Sequence, residues 1–162
     1  MKVIIVESKK YGTKRVLLDD EDFALVSNYT WCVTNGRGTF YSHTKIKDKT
    51  VYMHRLILGL TDPKIPCDHI DHNGLNNQRN NIRACTQSQN LCNRSPRKNG
   101  SSKYLGVCWD KEHRKWKVLI HENKRSKFIG RFNLETDAAM AYNNAAKEIH
   151  GDFANLNPIP FK

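Results

Sequence analysis

Residues 67 to 90 concentrate Asp, His and Asn in the stretch CDHIDHNGLNNQRNNIRACTQSQN. Hydrolysis of a phosphodiester needs a neutral imidazole that takes a proton from water, and hard oxygen ligands that hold a cation near the developing charge. Asp68 and His69 are adjacent, so one side chain can bind the metal while its neighbour points to the water. Asn90 offers a carboxamide oxygen, which suits Mg²⁺ with its one or two protein ligands. The cluster therefore predicts metal-assisted hydrolysis.

The same residues also have structural interpretations. Asp68, His69 and Asn90 would then form a network of Asx turns without catalysis. His54 precedes an apolar run, and we expect it to pack or to contact phosphate rather than to act as the base. Asp71 and His72 lie in a predicted turn, where they are expected to be solvated.

The cysteines give no sign of a disulfide framework or a zinc ribbon. They stand at positions 32, 67, 85, 92 and 108, an odd number with no Cys-x-x-Cys pair. Cys85 and Cys92 are not at standard zinc-ligand spacing. We therefore expect a reducing cytoplasm, no structural zinc and no organic cofactor.

Four residues of the central stretch carry a family resemblance through their spacing. Asn81 follows His69 by twelve residues, and Asn90 follows Asn81 by nine. This pattern resembles the HNH (ββα-metal) endonucleases, in particular the phage and intron homing endonucleases. The resemblance implies a hairpin followed by a helix around one Mg²⁺, or another divalent ion such as Mn²⁺. It makes His69 the general base, Asp68 and Asn90 the metal ligands, and Asn81 the structural residue that fixes the hairpin. Cys67 stands where the family commonly has an aliphatic residue.

The mechanism that the resemblance implies is in-line attack by a water that His69 deprotonates. The metal stabilises the leaving 3′-oxygen, and the products carry 5′-phosphate and 3′-hydroxyl ends. Because the base must be unprotonated, activity is expected to fall below the ordinary histidine pKa of about 6.5. One active site per chain favours nicking of double-stranded DNA by a monomer, although a dimer would cut both strands.

The last third of the chain has the pattern of a small sheet followed by a helix. Three strand-like runs, YLGVCW, KWKVLIH and SKFIGRF, precede an Ala-rich segment with helical spacing over residues 136 to 150. Thr136 is the predicted N-cap of that helix and Gly151 its stop. Residues 103 to 157 resemble the Apetala-two (ethylene-response-factor) DNA-binding domain, and the match runs through Gly106, Trp116, Ile120, Gly130, Phe132, Ala138, Ala139, Ala141, Tyr142, Ala145, Ala146, Gly151, Ala154 and Asn157.

The second resemblance implies a three-stranded antiparallel sheet in the major groove of DNA, with the helix packed behind it. Basic and aromatic residues on the strands would contact phosphates and base edges. For Trp116 a place in the core is the alternative, and for each Lys or Arg a solvated strand face. The predicted DNA contacts are Lys103, Trp109, Lys111, Arg114, Trp116, Lys117, Arg125 and Lys127.

The composition of the chain indicates the type of partner and the location of the protein. The 162 residues include 27 Lys and Arg against 16 Asp and Glu, a net charge of +11, which favours a nucleic acid as partner. No apolar run has the roughly eighteen residues of a membrane span, and the start lacks a signal-peptide pattern. We therefore expect a cytoplasmic protein, in the host cytoplasm if a phage encodes it. The predicted α+β organisation is an N-terminal β-rich region at 1–50, the nuclease core at 51–95, a linker at 96–102 and the DNA-binding domain at 103–158.

Two other functions compete with a site-directed DNA endonuclease. One is a DNA-binding regulator with an inactive nuclease half, and the other is an RNA-binding protein. Residues 1–50 either form a platform that extends the nuclease core or add DNA contacts through Lys9, Lys10, Lys14 and Arg15.

Overall fold

The computed structural model describes residues 1 to 36, 38 to 96, 99 to 122 and 125 to 160. Residues 97 and 98 of the predicted linker, and residues 123 and 124 of the predicted DNA-binding domain, lie outside this description. The chain divides into two compact units, Met1–Thr86 and Gln87–Lys162. Each has its own hydrophobic core.

The described residues mix strands and helices, and the strands form four small antiparallel sheets. Among them no helix combines the length and hydrophobicity that a membrane span requires. The first unit contains β1 (Lys2–Val6), β2 (Lys14–Leu18), α1 (Phe23–Val26), β3 (Cys32–Asn35), β4 (Phe40–Ile46), β5 (Lys49–Tyr52), α2 (Met53–Ile57), β6 (Cys67–His69) and β7 (Ile82–Ala84). The second contains α3 (Gln87–Cys92), β8 (Val107–Asp110), β9 (Lys115–Glu122), β10 (Arg125–Phe132) and α4 (Glu135–His150).

The core of the first unit joins the N-terminal strands to the elements that follow them. Val16, Leu18 and Val26 are completely buried together with Met53 of α2, and Ile82 of β7 packs in the same cluster. Burial of such side chains is the main favourable term in folding. The first 50 residues therefore share one core with the segment that carries Asp68 and His69, as the platform interpretation requires. DNA contacts from this region stay a prediction.

The polar segment of residues 70 to 81 is ordered by hydrogen bonds rather than by a core of its own. The Leu17 amide donates to the Leu75 carbonyl, and the Asn77 amide to the Leu17 carbonyl, each at 2.8 Å. The Arg79 guanidinium donates to the two oxygens of buried Asp22 at 2.7 and 3.0 Å. These bonds fasten the segment to β2 and to a 3₁₀ turn at Asp20–Asp22, because buried polar groups must find partners.

In the second unit β8, β9 and β10 form an antiparallel sheet with α4 packed on one face. Val118 and Ile120 of β9 meet the buried alanines of α4, Ala138 and Ala146. Small side chains allow the helix to approach the sheet closely. The predicted three-stranded sheet and helix are thus present in this unit.

The start of α4 differs from the prediction, whereas its end agrees. The helix begins at Glu135 with Leu134 as N-cap, so Thr136 lies inside the first turn. Glu135 accepts a hydrogen bond of 2.6 Å from the Ser102 hydroxyl, and a carboxylate in the first turn suits the positive end of the helix dipole. The helix ends at His150, and Gly151 has a positive φ of 54°, so its predicted role as the stop is confirmed.

Candidate active site

The short hairpin of β6 and β7 carries the adjacent Asp68 and His69. Asp68 pairs with Arg83 across the strands, and His69 pairs with Ile82. Asp68 and His69 are only 5% and 6% exposed. Two chemically active side chains are therefore held in a buried, regular element rather than in a mobile loop.

The Asp68 carboxylate forms a buried ion pair with Arg83. The Nε and Nη2 atoms of Arg83 donate to the same oxygen, Oδ2, at 3.0 and 2.8 Å. Charge-assisted hydrogen bonds of this kind offset the cost of burying a carboxylate. Asp68 therefore presents a hard oxygen donor, of the type that Mg²⁺ prefers.

Aromatic rings surround His69. The ring of His54 meets it edge-on with 5.0 Å between centroids, and the Tyr41 ring lies at 5.7 Å. Tyr52 stacks on His54 at 5.5 Å. These rings come from β4, β5 and the start of α2, so three elements of the first unit form the environment of this histidine.

Burial favours the neutral form of both imidazoles. Burial lowers the pKa of His69 from its ordinary value, although a hydrogen bond with Asn77 and the charge of Asp71 oppose this effect. Burial lowers the pKa of His54 to about 3, and His69 adds to the shift. Desolvation disfavours the charged form of an imidazole. His69 is therefore in the form that can accept a proton.

Asn81 closes the loop between β6 and β7. Its Nδ2 atom donates to Asp71 Oδ1 at 2.9 Å and to the Asn76 carbonyl at 2.8 Å. Its Oδ1 atom accepts from the Asp71 amide at 3.0 Å, and its carbonyl accepts from the Ile70 amide at 2.9 Å. A single buried side chain thus joins the start of the loop, directly after His69, to its end.

Replacing Asn81 with alanine is expected to lower the free energy of unfolding by about 1 to 3 kcal/mol, because buried partners in the loop lose their hydrogen bonds. Urea denaturation measures this change. Asn80→Ala, at the exposed neighbouring position, is the matched control and should have little effect. Equal stabilities of the two variants would show that Asn81 does not hold the loop.

The remaining predicted residues of the central stretch occupy different places. Asn90 lies half-buried on α3, in the second unit, and its role as a metal ligand rests on the family pattern. Asp71 and His72 are exposed, as predicted. Asp71 nevertheless organises the loop, because its carboxylate accepts from the Asn73 amide at 2.8 Å and from the Asn76 side chain at 2.8 Å.

Another group of possible metal ligands lies in the second unit. Asp110, Glu112 and His113 offer ligand atoms within 4.8 Å of one another. Arg131 Nε donates to Asp110 Oδ2 at 2.8 Å, and this bond holds the pKa of Asp110 well below its ordinary range. The group is explained by this ion pair, and we assign it no catalytic role.

The predicted DNA contacts of the second unit differ in how far their side chains are exposed. Trp116 packs against the core and meets Trp109 edge-on at 5.0 Å, as the core alternative for Trp116 requires. Lys117, half-buried, is opposite Arg131 of β10. The other six predicted contacts are exposed: Lys103, Trp109, Lys111, Arg114, Arg125 and Lys127.

Phe128 and Arg131 of β10 were not among the predicted contacts, although they lie on the same sheet. A bulge between Phe128 and Gly130 changes the register, so Arg131 is opposite Lys117. Val118 faces the core, and its neighbour Lys117 therefore faces away from α4. The Arg131 guanidinium lies 5.0 Å from the centre of the Phe128 ring, which is 49% exposed. Gly130 within the strand pattern was the signal for such a bulge.

Comparison with known proteins indicates the family of the chain. No protein-family model and no solved structure matches the chain. A protein of Acanthamoeba polyphaga mimivirus named "Uncharacterized HNH endonuclease L560" is 35% identical over 147 residues, which cover 87% of this chain and 73% of the relative. "Protein 3.8" of Escherichia phage T7 is 35% identical over 90 residues, which cover 55% of this chain and 73% of the relative. The similarity to the mimivirus protein agrees with the motif of Asp68, His69 and Asn81, and we conclude that the chain belongs to the HNH endonuclease family.

Proposed function

We propose that this protein is a Mg²⁺-dependent endonuclease that cuts double-stranded DNA with His69 as the general base. The observation that carries the proposal is a buried His69, next to Asp68 on a hairpin whose loop is closed by Asn81. General bases of this kind contribute about 100- to 10,000-fold to a rate. Membership of the HNH family supports the same chemistry.

In the proposed mechanism, an imidazole nitrogen of His69 takes a proton from the attacking water. Asp68 would hold the divalent cation, and the family pattern adds Asn90 as the second ligand. When bound, the cation supplies positive charge that stabilises the phosphate and the leaving 3′-oxygen. Asn81 keeps the loop after His69 in place. The products would carry 5′-phosphate and 3′-hydroxyl ends.

We further propose that the second unit binds DNA in the manner of an Apetala-two domain. The sheet face turned away from α4 presents Lys117, Phe128 and Arg131. A guanidinium stacked on an exposed ring can contact both phosphates and base edges. Binding by this face would position the nuclease on the duplex, because an active site of this kind has little base specificity of its own.

Replacing Lys117 with alanine is expected to weaken DNA binding and to reduce the slope of log affinity against log salt by about 1, because one phosphate contact is lost. Fluorescence anisotropy at several salt concentrations measures this slope. Lys147→Ala is the matched control, since Lys147 is exposed on α4, on the other side of the sheet. Equal slopes for the two variants would contradict this choice of face.

The proposed activity is tested with end-labelled duplex DNA in Mg²⁺, Mn²⁺ or EDTA, with RNA as competitor. We expect metal-dependent cuts whose ends can be ligated, and nicks that precede double-strand breaks. Tight DNA binding without cleavage in either metal would favour the regulator with an inactive nuclease half. Binding that RNA removes more effectively than DNA would favour the RNA-binding alternative.

A further inference from the structure

We propose that Arg83 is a positioning residue that orients the Asp68 carboxylate for the divalent cation. The inference rests on the proposed function, in which Asp68 is a metal ligand. Arg83 was not among the residues that the sequence motif singled out. It is assigned here from its place opposite Asp68 in the hairpin and from the bonds between the two side chains.

The geometry of the pair holds the Asp68 carboxylate in one orientation. Two N–H groups of one guanidinium reach the same oxygen of Asp68, at 3.0 and 2.8 Å. A carboxylate anchored through one oxygen has little freedom to rotate about its Cβ–Cγ bond, and this fixes the direction of its other oxygen. Outer partners of metal-binding carboxylates act in this way.

Asp68 and Arg83 both lie on the hairpin of β6 and β7, so the backbone holds the two residues at fixed positions. The Asp68 and Arg83 pair is the central one of the three pairs between β6 and β7, with His69 in the adjacent pair. The side chains of Asp68 and Arg83 are only 6% and 17% exposed, so solvent and salt screen them weakly. The proposed metal ligand and the proposed base are thus held in neighbouring pairs of one short hairpin.

A purely structural ion pair is the alternative interpretation, and the first unit contains one for comparison. Arg79 donates to the buried Asp22 and fastens residues 70 to 81 to the Asp20–Asp22 turn. Buried ion pairs contribute little net stability, although removal of one partner is costly. Arg79 and Arg83 thus both pair with a buried carboxylate, but only the partner of Arg83 is a proposed metal ligand.

The test measures Mn²⁺ binding to the full-length protein without DNA, by electron paramagnetic resonance of the free ion. We expect Arg83→Gln to bind Mn²⁺ about 10- to 100-fold more weakly than the wild type. Arg83→Lys should be intermediate, because an ammonium group can hold one oxygen but lacks the guanidinium fork. Arg79→Gln is the matched control and should lose stability while retaining the wild-type affinity for Mn²⁺.

Circular dichroism and thermal unfolding identify the variants that fold. A folded Arg83→Gln with wild-type Mn²⁺ affinity would overturn the inference, as would equal weakening in Arg79→Gln. If Arg83→Gln does not fold, Arg83→Lys decides, and wild-type affinity in that variant would count against the positioning role. A wild-type protein that binds no more Mn²⁺ than Asp68→Asn would instead overturn the proposed metal site, and the role of Arg83 with it.

Discussion

Replacing His69 with alanine is expected to reduce the rate of DNA cleavage by about 100- to 10,000-fold while leaving DNA affinity unchanged. The imidazole is the only group in the proposed mechanism that takes the proton from water. The proposed DNA contacts belong to the second unit, and the substitution does not touch them. Single-turnover cleavage and equilibrium binding with the same duplex measure the two quantities separately.

The control for this prediction is His72→Ala. His72 is three residues away but exposed, so we expect its replacement to leave the cleavage rate close to that of the wild type. Loss of activity in both variants would indicate damage to the loop rather than removal of a base. Retention of activity in His69→Ala would exclude His69 as the base.

Replacing Gly106 with alanine is expected to destabilise the second unit by about 2 to 5 kcal/mol. Gly106 has a φ of +76°, where a side chain is strained. A Cβ atom would also overlap the Tyr142 ring and would lie 2.8 Å from the Leu119 carbonyl oxygen. Tyr142 is buried in the core and Leu119 is in β9, so neither can move away without disturbing the packing.

Gly151→Ala, in the same unit, separates the effect of a positive φ from the effect of the Cβ overlap. Gly151 also has a positive φ, of 54°, but a Cβ atom there would meet nothing within 4 Å. We expect this variant to lose about 1 to 3 kcal/mol, the cost of the backbone conformation, and less than Gly106→Ala. Urea denaturation measures both variants, and an equal loss for Gly106→Ala would contradict the close packing of Tyr142.

Elements with a strong local pattern could be predicted from the sequence. The runs KWKVLIH and SKFIGRF, predicted as strands, form β9 (Lys115–Glu122) and β10 (Arg125–Phe132), because β-branched and aromatic runs between turn residues favour strands. The predicted N-cap of α4, Thr136, lies two residues after the observed N-cap, Leu134. The Ser102 hydrogen bond to Glu135 depends on a residue far away in the chain, which no local pattern contains.

In the candidate site too, features of neighbouring residues could be predicted, whereas contacts between distant residues could not. The adjacency of Asp68 and His69 could be read directly, and the family was confirmed by comparison. The rings of Tyr41 and His54 next to His69, and the ring of Tyr52 stacked on His54, could not be predicted, because they come from separate elements that only the fold brings together. For the same reason, the prediction that activity falls below the ordinary histidine pKa of about 6.5 did not include the burial that lowers the pKa of His69.

The proposed DNA-binding face shows how one irregular residue in a strand changes which side chains share a face. Strict alternation along β10 would place Phe128 and Arg131 on opposite faces. The bulge before Gly130 brings them to the same face, where the guanidinium lies over the ring. Register within a strand decides which side chains can contact DNA, and a bulge moves it by one residue.

The most direct test of the account is relaxation of supercoiled plasmid by the wild-type protein and by His69→Ala, each with Mg²⁺ and with EDTA. We predict that the wild type converts the plasmid to the open-circular form in Mg²⁺ alone, and that His69→Ala binds the plasmid but leaves it supercoiled. Nicking by both proteins, or nicking by the wild type in EDTA, would contradict a metal-dependent nuclease that uses His69 as its base.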